Sequence, residues 1–251
     1  MVHHHMERSE EDERATSAGY DRWAASYDDK DPSTWLDEPF LLKYLHPFPG
    51  CRILDVGCGT GRYLRLLTAS RYRIIGLDLS RKMLARAKHY LDPRTDICLV
   101  QASACTLPFK PFTFDRIMSG LVIDHMASAE QWFKEISSML TMDGQAVVAA
   151  VHPDMQRLTG WDIEIQSAKD EAIHIPGHIH EVEHLLTAAR DAGLTVVAME
   201  EPRVTAAMLE HRPTWRSKLG RSALLLLALT KLGRDNSSPA NALTPIPSGS
   251  C

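Results

Sequence analysis

Asp55-Val56-Gly57-Cys58-Gly59-Thr60-Gly61 closes an apolar run that begins at Arg52 and precedes a helical pattern, Arg62 to Ala69. A strand that runs into glycines and then into a helix is the strand-to-helix turn of an open α/β sheet. Glycine tolerates positive φ, so the backbone of such a turn can approach a ligand closely. In open α/β sheets, ligands bind beyond the carboxyl ends of the strands. The turn therefore predicts a site for a nucleotide-like ligand.

The same alternation repeats outward from that turn. Strands are expected at Arg73–Asp78, Ile97–Gln101, Phe114–Ser119, Gln145–Val151 and Leu194–Met199. Helices are expected at Arg81–Leu91, Ala129–Leu140 and Glu181–Ala192. Ser80 is a good N-cap for the first of these helices, and Gly193 is a C′ glycine for the last. Asp143-Gly144 reads as a turn into the fifth strand. Strands alternating with helices imply a parallel sheet covered on both faces.

Ser222 to Lys231 (SALLLLALTK) is rich in helix-favouring Leu and Ala, but its length and position favour a last, buried strand. Ahead of the sheet, Tyr20, Trp23, Ala24 and Tyr27 share one helix face, and Trp35 to Leu45 is a second helical segment. The expected fold is α/β, one domain over 18–232, with a helical lid at 18–50 and a looser acceptor-pocket insert at about 153–180. Residues 1–17 read as a flexible N-terminus, and the charge run at 7–14 within it as a solvated lead-in or the start of a helix. Residues 233–251, rich in Pro, Ser, Gly and Asn, read as a disordered tail.

The chain has 251 residues and a formal net charge of −4, which argues against a nucleic-acid binder. Its five cysteines are scattered and form no CxxC pair, so neither a zinc ribbon nor a disulfide framework is indicated. Cys51, Cys58 and Cys98 are expected as buried thiols in or beside strands. This pattern fits a reducing cytoplasm. No stretch resembles a signal peptide, and the longest apolar run, Ala223 to Leu229, is too short to cross a bilayer. No membrane partner is expected, and a monomer and a homodimer are equally compatible.

The main competitor is a dinucleotide site. That fingerprint needs Gly-x-Gly-x-x-Gly, and Arg62 occupies the third-glycine position. A pyrophosphate is an anion, whereas Asp55 puts a carboxylate beside the glycines. A second acid, Asp78, ends the next strand, where a carboxylate can accept from both ribose hydroxyls. A ligand with a positive sulfonium and a zwitterionic end suits these acids better.

Asp55 to Gly61, the Gly76-Leu77-Asp78 strand end, Leu107-Pro108-Phe109 and Phe114-Asp115 together resemble the class I S-adenosylmethionine-dependent methyltransferases. The likeness is to the small-molecule, ubiquinone/menaquinone-type branch. Tyr20-Asp21-Arg22-Trp23 and Tyr27-Asp28 resemble that branch's N-terminal YDxxAxxYD segment. The resemblance implies a Rossmann-like, seven-stranded, mostly parallel sheet with its last strand antiparallel, and S-adenosylmethionine as cofactor. It implies that Gly57, Gly59 and Gly61 pass under the methionine part, with Asp55 beside them, and that Asp78 holds the ribose. Leu79 and Met83 would flank the adenine, Ser119 and Gly120 would line the cleft, and Tyr20 and Tyr27 would close over it. The segment Ala102 to Phe109 departs from the family's pattern: Ser103 stands where an acid commonly meets the adenine amine, next to Ala104.

Methyl transfer from a sulfonium needs alignment and exclusion of water, and a hydroxyl or carbon acid also needs a base. His152 follows the fifth strand and ranks first as that base. His180, in the segment before the last helix, ranks second. His125 follows the fourth strand and reads as structural or cofactor-side. No metal is expected: His174 and His178 are separated by Pro176-Gly177, which breaks a shared helix face. Trp161, Trp215, Met155 and Met208 suggest a partly apolar small-molecule substrate, methylated on oxygen or carbon. An N-methyltransferase and a non-catalytic S-adenosylmethionine-binding protein remain as alternatives.

Overall fold

A computed structural model describes residues 2–29, 34–67, 72–160, 163–166, 172–211 and 213–231. Two helices lead, α1 (Val2–Trp23) and α2 (Thr34–Leu45). Then follow β1 (Arg52–Val56), α3 (Arg62–Leu66), β2 (Arg73–Asp78), α4 (Arg81–Tyr90), β3 (Ile97–Gln101) and β4 (Phe114–Gly120). After these come α5 (Ala129–Met139), β5 (Leu140–Val151), α6 (Pro153–Thr159), and a hairpin of β6 (Ile163–Gln166) and β7 (Ala172–Ile175). The chain ends in α7 (Val182–Asp191), β8 (Leu194–Glu200), α8 (Ala206–His211) and β9 (Leu224–Lys231).

The main sheet has seven strands in the order β3-β2-β1-β4-β5-β9-β8. Strands β1 to β5 run parallel, and β9 is antiparallel to both β5 and β8. Every residue from Leu224 to Leu229 is buried, because β9 lies between two partners and is covered on both faces. That setting overrides the helix preference of its leucines. One core layer packs α5 and α7 against the sheet through Trp132, Phe133, Ile136, Leu185 and Ala188. The other includes Phe40, Leu41 and Leu45 of α2 and Leu64 of α3. The strand order reverses between β1 and β4, and the mouth of the fold opens there, beyond their carboxyl ends.

Three expectations change. The N-terminus expected to be flexible at 1–17 is helical, and the run at 7–14 follows the second of its two readings, the start of a helix, since α1 begins at Val2 and packs on β7 and α4. Its closeness to β7 depends on Gly19, where a Cβ would meet Ile175 Cγ1 at 2.5 Å. The fifth strand starts at Leu140 rather than Gln145: Phe114 pairs with Leu140 and Arg116 with Gln145, so the intervening residues bulge out around Asp143, with φ +61°. Cys98 is exposed, because β3 is the sheet's edge, whereas Cys51 and Cys58 are buried as expected. The tail at 233–251 and Trp161 lie outside the described residues. Among the described residues, no helix is long and apolar enough to cross a membrane.

Helix α4 starts where the sequence indicates. Ser80 Oγ accepts the Met83 N–H at 3.1 Å and donates to Asp21 Oδ1 of α1 at 2.5 Å. Ser80→Ala removes both bonds and should lower stability by about 1 kcal/mol. A fall in the urea midpoint with unchanged slope checks this; an unmoved midpoint would mean that the cap contributes nothing.

Candidate active site

The mouth of the fold is a cleft roofed by α1. Its floor is the turn after β1. Gly57 has φ +70°, and a Cβ there would meet Val122 Cγ2 at 2.1 Å, so only glycine fits. Gly59 has φ +54° and also lines the cleft, and a Cβ there would meet nothing within 4 Å. Bare backbone therefore faces open space at the place where a ligand would rest.

Asp78 ends β2 on the cleft wall. Its two oxygens accept the Gly59 N–H and the Ser80 N–H, each at 2.8 Å. Burial pushes its carboxyl up to about 6, and the two N–H groups pull the other way. Beside it, Leu79, Met83 and Ala104 form an apolar slot. Asp78 and the slot suit a ribose and a purine. Among the described residues, no Lys or Arg lines the cleft, so a pyrophosphate would lack a counter-charge from them.

The roof is tied down at several points. Asp21 Oδ1 also accepts the Lys82 N–H at 3.0 Å, and Asp28 Oδ1 accepts the Thr60 hydroxyl at 2.7 Å. Tyr20 stacks on Trp23 at 5.8 Å between centroids, and Tyr27 meets Trp23 edge-on at 4.6 Å. Tyr20 and Tyr27 both line the cleft. Tyr20 Oη lies 2.8 Å from His125 Nε2, and His125 Nδ1 lies 2.8 Å from the Pro176 carbonyl. A carbonyl can only accept, so Nδ1 carries the proton and Nε2 accepts from the tyrosine hydroxyl. Burial pushes the His125 pKa down, which favours this neutral form.

Comparison with known proteins agrees with this geometry. Residues 54–148 match the methyltransferase domain family. A malonyl-acyl-carrier-protein O-methyltransferase of Erwinia pyrifoliae is 28% identical over 138 residues, 55% of this chain and 52% of that protein. A demethylmenaquinone methyltransferase of Lactococcus lactis is 30% identical over 155 residues, 59% of this chain and 61% of that protein. An S-adenosylmethionine-dependent methyltransferase from Mesorhizobium loti superposes with a TM-score of 0.61 at 26% identity, covering 76% of this chain and 96% of that one. Residues 54–148 carry a methyltransferase domain, and the chain is similar in sequence and fold to S-adenosylmethionine-dependent methyltransferases. It spans about half the length of the first curated relatives it matches.

The fold brings most of the expected cofactor residues to one cleft: Tyr20, Tyr27, Gly57, Gly59, Asp78, Leu79, Met83, Ser103, Ala104 and Gly120. Three others stand off its wall. Asp55 is fully buried, and neither of its oxygens has a hydrogen-bond partner among the described residues. Burial pushes its carboxyl up to about 8, so it is mainly protonated near neutral pH and does not present the charge expected beside the sulfonium. Gly61 is the N-cap of α3, and its missing Cβ would lie 3.2 Å from Ala87 Cβ of α4. Ser119 is buried and donates to the Val56 carbonyl at 3.1 Å.

The histidines ranked as bases also stand elsewhere. His152 caps α6, where its Nδ1 accepts the Asp154 N–H at 3.2 Å and its Nε2 lies 3.3 Å from Glu201. His180 is buried, with Nε2 2.8 Å from the Met126 carbonyl. Neither borders the cleft; His125 does. Met155 and Met208 are buried, and Trp215 is half-buried against the α2-side core, so these three are packing residues rather than cleft walls. The insert at 153–180 reaches the site through Pro176. Among the described residues, no group of three His, Cys, Asp or Glu could hold a metal.

The sequence reading missed Glu13 and Thr16, which line the cleft with Tyr20. Their spacing of i, i+3 and i+7 is the available signal, since it marks one helix face.

Proposed function

We propose that this domain transfers the methyl group of S-adenosylmethionine to an oxygen or carbon of a small, partly apolar acceptor, with His125 rather than His152 or His180 taking the acceptor's proton. When bound, the cofactor supplies a methyl group on an electrophilic sulfonium. Gly57, Gly59 and Asp78 bind and orient it, and α1 shields it from water. The observation that carries the reading is the Tyr20–His125 pair: a neutral imidazole whose one basic lone pair, on Nε2, is held at the cleft by the Tyr20 hydroxyl at 2.8 Å, which the acceptor would displace to pass its proton to Nε2. Leu121, Val122 and Met126 give that end an apolar wall. The relatives named as O-methyltransferase and demethylmenaquinone methyltransferase support the acceptor class at this coarse level.

Calorimetric titration with S-adenosylmethionine and, separately, with NAD tests the donor. Micromolar binding of the first and none of the second is expected. Binding of NAD, or of neither, would overturn the reading. Binding without turnover across a panel of hydroxyl, carbon-acid and amine acceptors would favour a non-catalytic binder.

A further inference from the structure

We propose that Glu13, on the roof helix α1, reads the 6-amino group of the cofactor's adenine; the inference rests on the proposed donor site. An adenine in the slot of Leu79, Met83 and Ala104 would bring two N–H donors into an apolar environment, where an unmet donor is costly. The residue after β3 that could have met them with a charge is Ser103, and its hydroxyl is already engaged. Ser103 Oγ accepts the Cys105 N–H at 3.0 Å and donates its one proton to Glu13 Oε1, also at 3.0 Å. The Glu13 carboxylate also acts on the Cys105 thiol: burial first, then this carboxylate, push it up to about 12. Ser103 therefore aims an acid that comes from another element instead of serving as the acceptor itself.

Position supports the assignment. Glu13 and Tyr20 lie about 10 Å apart along the helix axis, two turns at the usual rise. Tyr20 marks the β4 end of the cleft through His125, while Glu13 meets the loop after β3. Asp78, which ends β2, stands between those ends in the sheet order, where the ribose belongs. Because Glu13 belongs to the roof, purine recognition and seating of α1 become one event.

The test compares S-adenosylhomocysteine with S-inosylhomocysteine, whose 6-carbonyl accepts where the amine donates. Calorimetry is run on the full chain and on its Glu13→Gln and Glu13→Ala variants. Wild type should prefer the adenosyl compound by about 10–100-fold, the range for a hydrogen bond to a charged group. Glu13→Ala should bring the adenosyl affinity down to about the inosyl value. Glu13→Gln, whose amide can donate to the carbonyl, should also erase the preference. Adenosyl cofactor should protect α1 from proteolysis in wild type and less so in Glu13→Ala. Unchanged affinity and preference in Glu13→Ala would overturn the inference and leave the donor site standing. Failure of wild type to bind either compound would overturn the donor site and the inference with it.

Discussion

Asp78→Ala is expected to weaken binding of S-adenosylmethionine and S-adenosylhomocysteine by about 100- to 10,000-fold, the loss of two hydrogen bonds to a charged acceptor. The side chain has two tasks. It organises the turn, since the Gly59 and Ser80 N–H groups both end on it, and it faces the cleft as an ionisable acceptor. Asp78→Asn separates the tasks by keeping the shape and removing the charge. A pH titration adds a signature. The carboxyl sits at about 6, and only its ionised form offers every lone pair to ribose hydroxyls. Affinity should therefore hold above pH 6 and fall by up to about tenfold per unit below it. Stability of the ligand-free protein should run the other way. A folded pKa raised above the ordinary 3.8 contributes stability that is complete below that value and lost as pH rises through about 6. Asp78→Asn should flatten both dependences. Calorimetry between pH 5 and 8 reads the first and thermal melts read the second; wild-type affinity in Asp78→Ala would remove the ribose assignment.

Much of the fold is legible because apolar runs bounded by turn signals become strands buried in one sheet. Arg73–Asp78 and Ile97–Gln101 stand at the bounds the sequence indicates. The Leu-rich Ser222–Lys231 segment shows where local preference stops deciding. Its leucines favour helix, and only its place between β5 and β8 makes it a strand. The N-terminal helix was only half legible: 7–14 is charged and carries no apolar stripe, so a solvated lead-in and a helix start both stayed open, and only the i, i+3, i+7 spacing of Glu13, Thr16 and Tyr20 marks the face that meets the cleft.

Within the site, the acids and glycines are legible as a set, but which of them touch the ligand depends on the direction in which each side chain leaves its strand. Asp55 lies opposite Gly76 and Met118 in the sheet and turns into the protein, whereas Asp78 ends its strand and turns outward. The histidines obey the same rule. His152 and His125 both follow strands, yet His152 precedes Pro153 and Asp154, and a cap residue followed by proline is the signature of a helix start. That reading was available in His152-Pro153-Asp154 and assigns the imidazole to α6. Nothing in the sequence pairs His125 with Tyr20, because the two stand 105 positions apart and only the fold brings them together.

The pairing makes His125→Ala the sharpest test of the chemistry. A positioned base contributes about 100- to 10,000-fold to turnover, so kcat should fall by that amount for an oxygen or carbon acceptor. Binding of S-adenosylhomocysteine should change little, since the ribose and glycine contacts are untouched. The base acts in its neutral form, and burial holds its pKa below the ordinary histidine value. Wild-type kcat should therefore be level near neutral pH and fall on the acid side, and the variant should lose that acid limb. Tyr20→Phe removes the hydroxyl that Nε2 accepts from and should cost less, because the imidazole stays fixed through Nδ1 and Pro176. If the two groups act as a unit, Tyr20→Phe should cost little more once His125 is gone, so the double variant should fall short of the sum of the two losses. Full additivity would mean that they act separately. An amine acceptor reaches the reaction neutral and needs no protein base. Undiminished turnover in His125→Ala would therefore point to N-methylation and would reduce the Tyr20–His125 bond to a latch that holds α1 over the cleft.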